Sequence, residues 1–140
     1  MPDEHSKAVE AHAYGRVLGV RGKSAEAQID LRYERSDPYA VHVTVTVTGQ
    51  APVVWLLARD LFFEGLCQPA GIGDATVSPA PVNRVGMLDL TLCNGSDSAV
   101  IELRVDDVAA FLRDTDVVVK RGDEFRFIDI DGELSQLLAD

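Results

Sequence analysis

The pattern of apolar and polar residues along the chain predicts a strand-rich protein. From Glu26 to Glu34 the odd-numbered positions are apolar and the even-numbered positions are polar or charged. From Val41 to Thr48 four valines alternate with His42 and three threonines. Because successive side chains of a strand point to opposite faces, each segment predicts a strand with one buried face. The turn residues Arg35-Ser36-Asp37-Pro38 lie between them, so we expect an antiparallel hairpin.

The middle of the chain predicts four more strands and a short helix. Val53 to Ala58 is apolar throughout, which predicts a strand buried on most sides, with Trp55 in the core. Arg59 to Gly65 predicts a short helix that ends at a glycine. Asn94-Gly95 is a hairpin signal between two apolar runs. The other predicted strands are Ala75 to Ser78, Gly86 to Leu92 and Ala99 to Arg104.

The last third of the chain predicts helices. After Val105 the apolar residues recur with the period of an amphipathic helix, over about 11 residues. Phe125 to Ile128 predicts a short extended segment, and Asp131 is positioned to cap a terminal helix with three leucines on one face. Strands that mostly precede the long helix indicate an α+β fold with a largely antiparallel sheet.

Length and charge narrow the classes of function. The 140 residues suit one domain, with residues 1–12 predicted as a mobile segment and 13–140 as the folded domain. There is neither a membrane-length apolar stretch nor a signal-peptide pattern, so we expect a soluble intracellular protein. The formal net charge is −10, and residues 71–140, with 14 acidic and 6 basic side chains, carry −8 of it. An acidic surface repels phosphate, which argues against nucleic acid as the main partner.

Histidines and cysteines, which often catalyse reactions or bind metals, are few in this sequence. His5, His12 and His42 show no ligand spacing, so we predict no metal site. We predict that Cys67 and Cys93 are reduced, buried thiols. A hydrolase that uses Cys67 as its nucleophile is a minor alternative, because it needs a distant histidine.

Two further motifs suit backbone roles better than ligand binding. The acidic residues Asp129, Asp131 and Glu133 lack the spacing of a calcium loop and suit helix capping. The segment Gly71-Ile72-Gly73-Asp74 lacks the remaining residues of a phosphate loop. We expect its glycines to adopt positive φ in a turn before the strand that begins at Ala75. Neither a cofactor nor an enzymatic activity is therefore predicted.

The order and spacing of several segments resemble the SsgA-like proteins of sporulating actinomycetes. The resemblance extends over residues 25–139. It is carried by Leu31-Arg32-Tyr33, Asp37 to Val41, Trp55 to Leu61, Gly65-Leu66, Pro69 to Asp74, Phe111-Leu112, Thr115-Asp116, Gly122-Asp123-Glu124, Asp129-Ile130-Asp131, Glu133-Leu134 and Leu137-Leu138.

This resemblance implies a role in cell division without enzymatic activity. It implies that the protein positions the tubulin-like GTPase FtsZ at septum sites during sporulation, together with SsgA-like paralogues. It further implies a cytoplasmic homotrimer at the septum that contacts the membrane only through the division machinery. The implied fold is similar to the Whirly single-strand-binding proteins, with two mostly antiparallel sheets of about seven strands packed with two or three helices.

The implied fold leaves a rival function open, that of a single-stranded nucleic-acid-binding module. Such modules combine a basic groove with exposed aromatic side chains. The acidic charge and an aromatic content of 6 % favour a protein partner instead. We expect the partner-binding residues at the Asp37 to Tyr39 turn, the Arg59-Asp60 helix start and the loop Pro69 to Asp74. Structural roles for the same residues are the alternative. The candidates are Asp37, Tyr39, Arg59, Asp60, Gly71 and Asp74.

Overall fold

Seven antiparallel strands and two α-helices form the fold, in a computed structural model that describes residues 7–19, 23–71, 73–128 and 137. The strands make one sheet in the order β4-β3-β2-β1-β7-β6-β5. This confirms the predicted α+β class. The strands are β1 Ala8–Leu18, β2 Ser24–Glu34, β3 Asp37–Val47, β4 Val53–Ala58, β5 Ala75–Pro79, β6 Met87–Asn94 and β7 Asp97–Arg104; the helices are α1 Arg59–Gly65 and α2 Val105–Val118.

Strand β1 explains why the structure has one sheet where we expected two. It pairs along its full length with β2, and at Arg16 to Leu18 also with β7. It therefore joins β2, β3 and β4 to β5, β6 and β7. The middle of its apolar face consists of the small residues Ala11, Ala13 and Gly15, which gave too weak an alternation for a strand to be predicted. The domain boundary placed at residues 12 and 13 falls inside this strand.

The core lies on one face of the sheet, as the alternation in β2 and β3 predicted. Ile29, Tyr33, Val41 and Val43 are fully buried on that face. Their neighbours along each strand, such as Thr44, are only partly covered. Helix α2 packs against the core with the predicted stripe, in which Val108, Phe111, Leu112 and Thr115 are buried.

The prediction that β4 is buried on most sides is wrong. Leu57 is buried and Trp55 partly buried, but Val53, Val54 and Leu56 are more than half exposed. The reason is topological, because β4 is the last strand of the sheet and pairs only with β3 among the described residues. Composition cannot distinguish a central strand from an uncovered edge strand.

Two predictions concern the end of the chain. The segment from Phe125, predicted as extended, instead forms a 3₁₀ helix over Glu124–Phe127. Hydrogen bonding explains this, since the N–H of Arg126 donates to the carbonyl of Asp123 at 3.1 Å. The terminal helix capped by Asp131 lies outside the described residues, as do Asp129 and Glu133.

Gly65 allows α1 to pack closely against the edge strand β5. A Cβ atom at this position would overlap the buried side chain of Val77. Gly65→Ala should therefore lower the free energy of unfolding by about 1–3 kcal/mol through overpacking. Urea unfolding measures the effect, with the exposed neighbour Glu64→Ala as the control expected within about 0.5 kcal/mol of the wild type. Equal midpoints for both variants would contradict this packing.

Candidate functional site

Three of the residues predicted to bind a partner lie together where β4 leads into α1. Tyr39 of β3 and Asp60 of α1 line a small depression with Ala58, above Arg59 and Glu124. The Tyr39 ring is half exposed, and so is the Asp60 side chain. We call the exposed residues Tyr39, Ala58 and Asp60 the Tyr39–Asp60 surface. Asp37 is exposed two residues before Tyr39, and both belong to β3 rather than to the turn.

Arg59 is the exception, because it is buried rather than exposed as predicted. The side chain is 1 % exposed, which makes it the largest fully buried side chain of the described residues. Its guanidinium lies 4.8 Å from the centre of the Tyr33 ring. Burial of a charge is costly unless the charge is paired, so the partners of Arg59 decide its role.

Those partners are all near the end of α2. One Nη atom donates to the carbonyl oxygen of Val119 at 2.7 Å and to that of Thr115 at 3.3 Å. The other donates to Oε1 of Glu124 at 2.7 Å. Carbonyls at a helix C-terminus lack partners within the helix, and the helix dipole favours a cation there. Arg59 thus connects the start of α1 to the end of α2 and has a structural role.

Glu124 is held as a carboxylate by the same contacts. Its Oε2 accepts a hydrogen bond from the N–H of Gly122 at 2.8 Å. Burial alone would raise the pKa of Glu124, but the hydrogen bonds from Arg59 and from the backbone outweigh burial and lower the pKa below its ordinary value. The buried pair Arg59–Glu124 therefore fixes the floor of the Tyr39–Asp60 surface.

Neighbouring contacts orient the Asp60 side chain and fix the backbone beside Tyr39. Nε of Arg121 donates to Oδ1 of Asp60 at 2.9 Å, and its guanidinium lies over the Phe63 ring at 4.7 Å. The Tyr33 hydroxyl donates to the carbonyl of Pro38 at 2.8 Å, which fixes the backbone next to Tyr39. Burial raises the pKa of Tyr33 to about 12, so this donor keeps its proton across the physiological range.

The predicted loop residues lie apart from this surface. Gly71 and Gly73 have positive φ values of 108° and 86°, as predicted for a turn before β5. A Cβ at Gly71 would meet the carbonyl of Ala75 and the side chain of Leu61 in α1. The backbone carbonyl of Asp74 accepts a hydrogen bond from the N–H of Cys93 at 2.8 Å. These contacts give Gly71 and the Asp74 backbone a structural role, while the Asp74 side chain is exposed.

The described part of the chain brings no metal-binding set together. It contains no group of three or more histidine, cysteine or acidic side chains that could hold a metal ion. Nδ1 of His12 lies 2.6 Å from the Asp30 carboxylate, whose hydrogen bond raises the pKa of His12. Both cysteines are free, and Cys67 is exposed, so its predicted burial is wrong. None of the helices described here is long and apolar enough to cross a membrane.

Sequence reasoning missed the most exposed aromatic residue among those described, Tyr14 of β1. It is 80 % exposed, on the sheet face opposite the core. A polar depression of about 540 Å³ there is lined by Tyr14, Arg16 and Arg104, together with Glu26 and Glu102. Tyr14 belongs to the strand that was not predicted, and therefore no face could be assigned to it.

The described residues therefore define an α+β domain built on one sheet. Its Tyr39–Asp60 surface has an exposed aromatic ring and an oriented carboxylate over a rigid floor. Exposed aromatic side chains with a polar surround are typical of protein-binding surfaces.

Comparison with known proteins agrees with the resemblance found in the sequence. The family model described as "Streptomyces sporulation and cell division protein, SsgA" matches residues 27–124. This chain belongs to that family. Among curated relatives, the sporulation-specific cell division protein SsgB of Streptomyces coelicolor is 40 % identical over 110 residues, which are 79 % of this chain and 80 % of the relative. SsgB of Salinispora tropica is 37 % identical and covers 94 % of this chain and 93 % of its own.

Solved structures support the same assignment. The SsgA-like sporulation-specific cell division protein of Thermobifida fusca has a TM-score of 0.85 at 25 % identity, over 97 % of this chain and 98 % of its own. A second solved structure has a TM-score of 0.81 at 32 % identity. It is described by the finding that mutations in SsgB correlate to longitudinal cell division during sporulation of Streptomyces coelicolor. It covers 90 % of this chain and 99 % of its own.

Proposed function

We propose that this protein recruits FtsZ to septum sites during sporulation through protein–protein contacts. The observation that carries the proposal is the family match over residues 27–124, together with relatives named sporulation-specific cell division proteins. The exposed Tyr39–Asp60 surface, which is held by buried contacts, supplies a place for such contacts. In this proposal the protein acts in the cytoplasm at the septum as a homotrimer, alongside SsgA-like paralogues, and meets the membrane only through the division machinery.

The proposal assigns no catalytic step to this chain. The family description names sporulation and cell division rather than a reaction. Two of the titratable side chains also have other roles, because Glu124 neutralises Arg59 and Asp30 pairs with His12. These two ion pairs lie at separate places in the fold.

Sedimentation with FtsZ polymers tests the proposal directly. FtsZ polymerised with GTP should carry this protein into the pellet, and FtsZ kept unpolymerised with GDP should leave it in solution. Adding the SsgA-like paralogues of the same organism one at a time shows whether the complex needs one of them. If the protein stays in the supernatant with polymers in every combination, the proposed recruitment by contact is wrong.

The nucleic-acid alternative predicts a different result. Tyr14 with Arg16 and Arg104 has the residue types of a stacking platform, which is the observation in its favour. Glu26 and Glu102 lie in the same depression, and the net charge of −10 opposes phosphate. We therefore expect no measurable binding of oligo(dT) by fluorescence anisotropy at physiological salt. Tight binding that weakens steeply with salt and is lost in Tyr14→Ala would instead establish the alternative.

A further inference from the structure

The outer edge of β4 has the features of a strand that can accept another strand. Among the described residues β4 pairs only with β3. Half of the backbone N–H and C=O groups of such an edge strand point away from the sheet. Edge strands are usually protected by charged side chains, prolines or bulges. The six residues Val53–Ala58 include no charge and no proline, so in the described part of the chain this edge has none of these protections against main-chain pairing.

The opposite edge of the sheet is protected. The N–H of Ala70 donates to the carbonyl of Val77 in β5 at 2.8 Å, and the N–H of Val77 donates back at 2.9 Å. Strand β5 also ends in Pro79, and α1 packs against it at Gly65. The two edges therefore differ, and in the part of the chain that is described β4 provides the open one.

An apolar cavity lies next to the first half of β4. Its volume is about 260 Å³, and its lining includes Val45, Val53, Trp55, Leu92 and Ala99. An apolar protein cavity of about 150 Å³ is known to hold benzene. This cavity therefore has room for one aromatic side chain.

The faces of β4 match what an added strand would present. Val53 and Trp55 share the face that lines the cavity, whereas Val54 and Leu56 point to the other face and are 62 % and 61 % exposed. Side chains of an added strand would alternate between the same two faces. One set would face the cavity, and the other would cover Val54 and Leu56.

The acidic charge of this chain indicates which charged residues a bound partner segment would carry. Asp97 lines the rim of the cavity, and no described side chain forms an ion pair with it. With a net charge of −10 on the whole chain, a partner segment with Lys or Arg beside its apolar residues is favoured over an acidic one.

We propose that the edge of β4 binds an extended segment of a partner protein by strand addition, with one aromatic side chain in the cavity and a basic residue beside Asp97. Main-chain hydrogen bonds supply affinity in this mode of recognition, and the cavity supplies specificity. The inference rests on the proposed function, because it assumes that the protein acts by binding other proteins. It extends the Tyr39–Asp60 surface, which includes the last residue of β4, along the whole strand.

A phage-displayed library of random dodecapeptides, selected on the full chain, tests the inference without FtsZ. We expect enriched peptides with alternating apolar positions, one aromatic residue and a flanking Lys or Arg. Val54→Lys should weaken their binding at least tenfold, because lysine on an edge strand opposes pairing. Ala99→Phe should also weaken peptide binding at least tenfold, because the added ring would occupy the cavity that Ala99 lines. Val82→Lys makes the same change of charge at an exposed valine outside β4 and should leave binding unchanged.

The outcomes separate this inference from the proposed function. Slower hydrogen exchange of the β4 amides on binding the enriched peptide would support strand addition, provided that Ala99→Phe keeps the wild-type circular dichroism. The inference is wrong if no enriched peptide is sensitive to Val54→Lys, or if Val54→Lys and Val82→Lys weaken binding equally. Neither result would contradict the proposed function, because sedimentation of this protein with FtsZ polymers is measured independently. Conversely, failure to sediment with FtsZ does not change the outcome of the peptide selection.

Discussion

Replacing Arg59 with alanine should lower the free energy of unfolding by about 3–5 kcal/mol. The substitution leaves the buried carboxylate of Glu124 without its partner, and a buried unpaired charge is costly. It also removes the donor to the carbonyls of Thr115 and Val119 at the end of α2. The effect should therefore exceed that of a surface ion pair by several kcal/mol.

Urea unfolding followed by circular dichroism measures the loss. Arg113→Ala, which removes an exposed arginine from α2, is the matched control and should change the free energy of unfolding by about 0.5 kcal/mol or less. A loss of less than about 1 kcal/mol in Arg59→Ala would contradict the central role of this contact.

The same pair predicts how stability depends on pH. The pKa of Glu124 is lowered in the folded state, so its ion pair stabilises the fold above the unfolded-state pKa, near 4.5. That contribution is lost as the pH falls through the lower, folded-state pKa. Glu124→Gln lacks this titration. The difference in unfolding free energy between the wild type and Glu124→Gln should therefore stay constant from neutral pH to about 4.5 and shrink as the pH falls further. A difference that stays constant below pH 4.5 as well would contradict the assignment.

The combined change of Tyr39→Ala with Asp60→Lys should weaken sedimentation with FtsZ polymers by at least tenfold, about 1.4 kcal/mol. Exposed tyrosines often contribute most of the binding energy of an interface, and charge reversal opposes any partner that suits the acidic side chain. Asp60 also pairs with Arg121, but both side chains are about half exposed, and a pair of that kind contributes little to stability. The variant should therefore remain folded.

Matched variants elsewhere on the surface separate this effect from a general change in charge or aromatic content. Tyr14→Ala combined with Asp106→Lys makes the same two changes at exposed positions of β1 and α2. This control should sediment with FtsZ polymers like the wild type. If both double variants lose sedimentation equally, the Tyr39–Asp60 surface is not the specific contact.

Local sequence patterns were sufficient to predict the strands and helices that have one buried face. Val41, Val43 and Val45 of β3 and the stripe of α2 from Val108 to Thr115 are buried as predicted, since alternation and helical periodicity report burial directly. The hairpin at Asn94-Gly95 also forms as predicted, because its φ requirement is local. These elements account for most of the predicted fold.

Long-range contacts account for what the sequence did not reveal. Arg59 was assigned to the surface as part of a helix start expected to be exposed, yet its partners lie 56 to 65 residues later in the chain. The exposure of Val54 depends on the position of β4 in the sheet order, which no local pattern contains. At the candidate site, Tyr39 and Asp60 could be named from their types and from the resemblance. Their proximity follows only from the pairing of β3 with β4.

Imaging of fluorescent FtsZ in sporulating cells that lack this gene tests the central claim most directly. The organism that carries the gene should be compared with its deletion strain and with the strain complemented by the wild-type chain. Our account predicts that FtsZ remains dispersed in the deletion strain and returns to regularly spaced septum sites on complementation. Normal FtsZ rings at regular spacing in the deletion strain would contradict the claim that this protein recruits FtsZ.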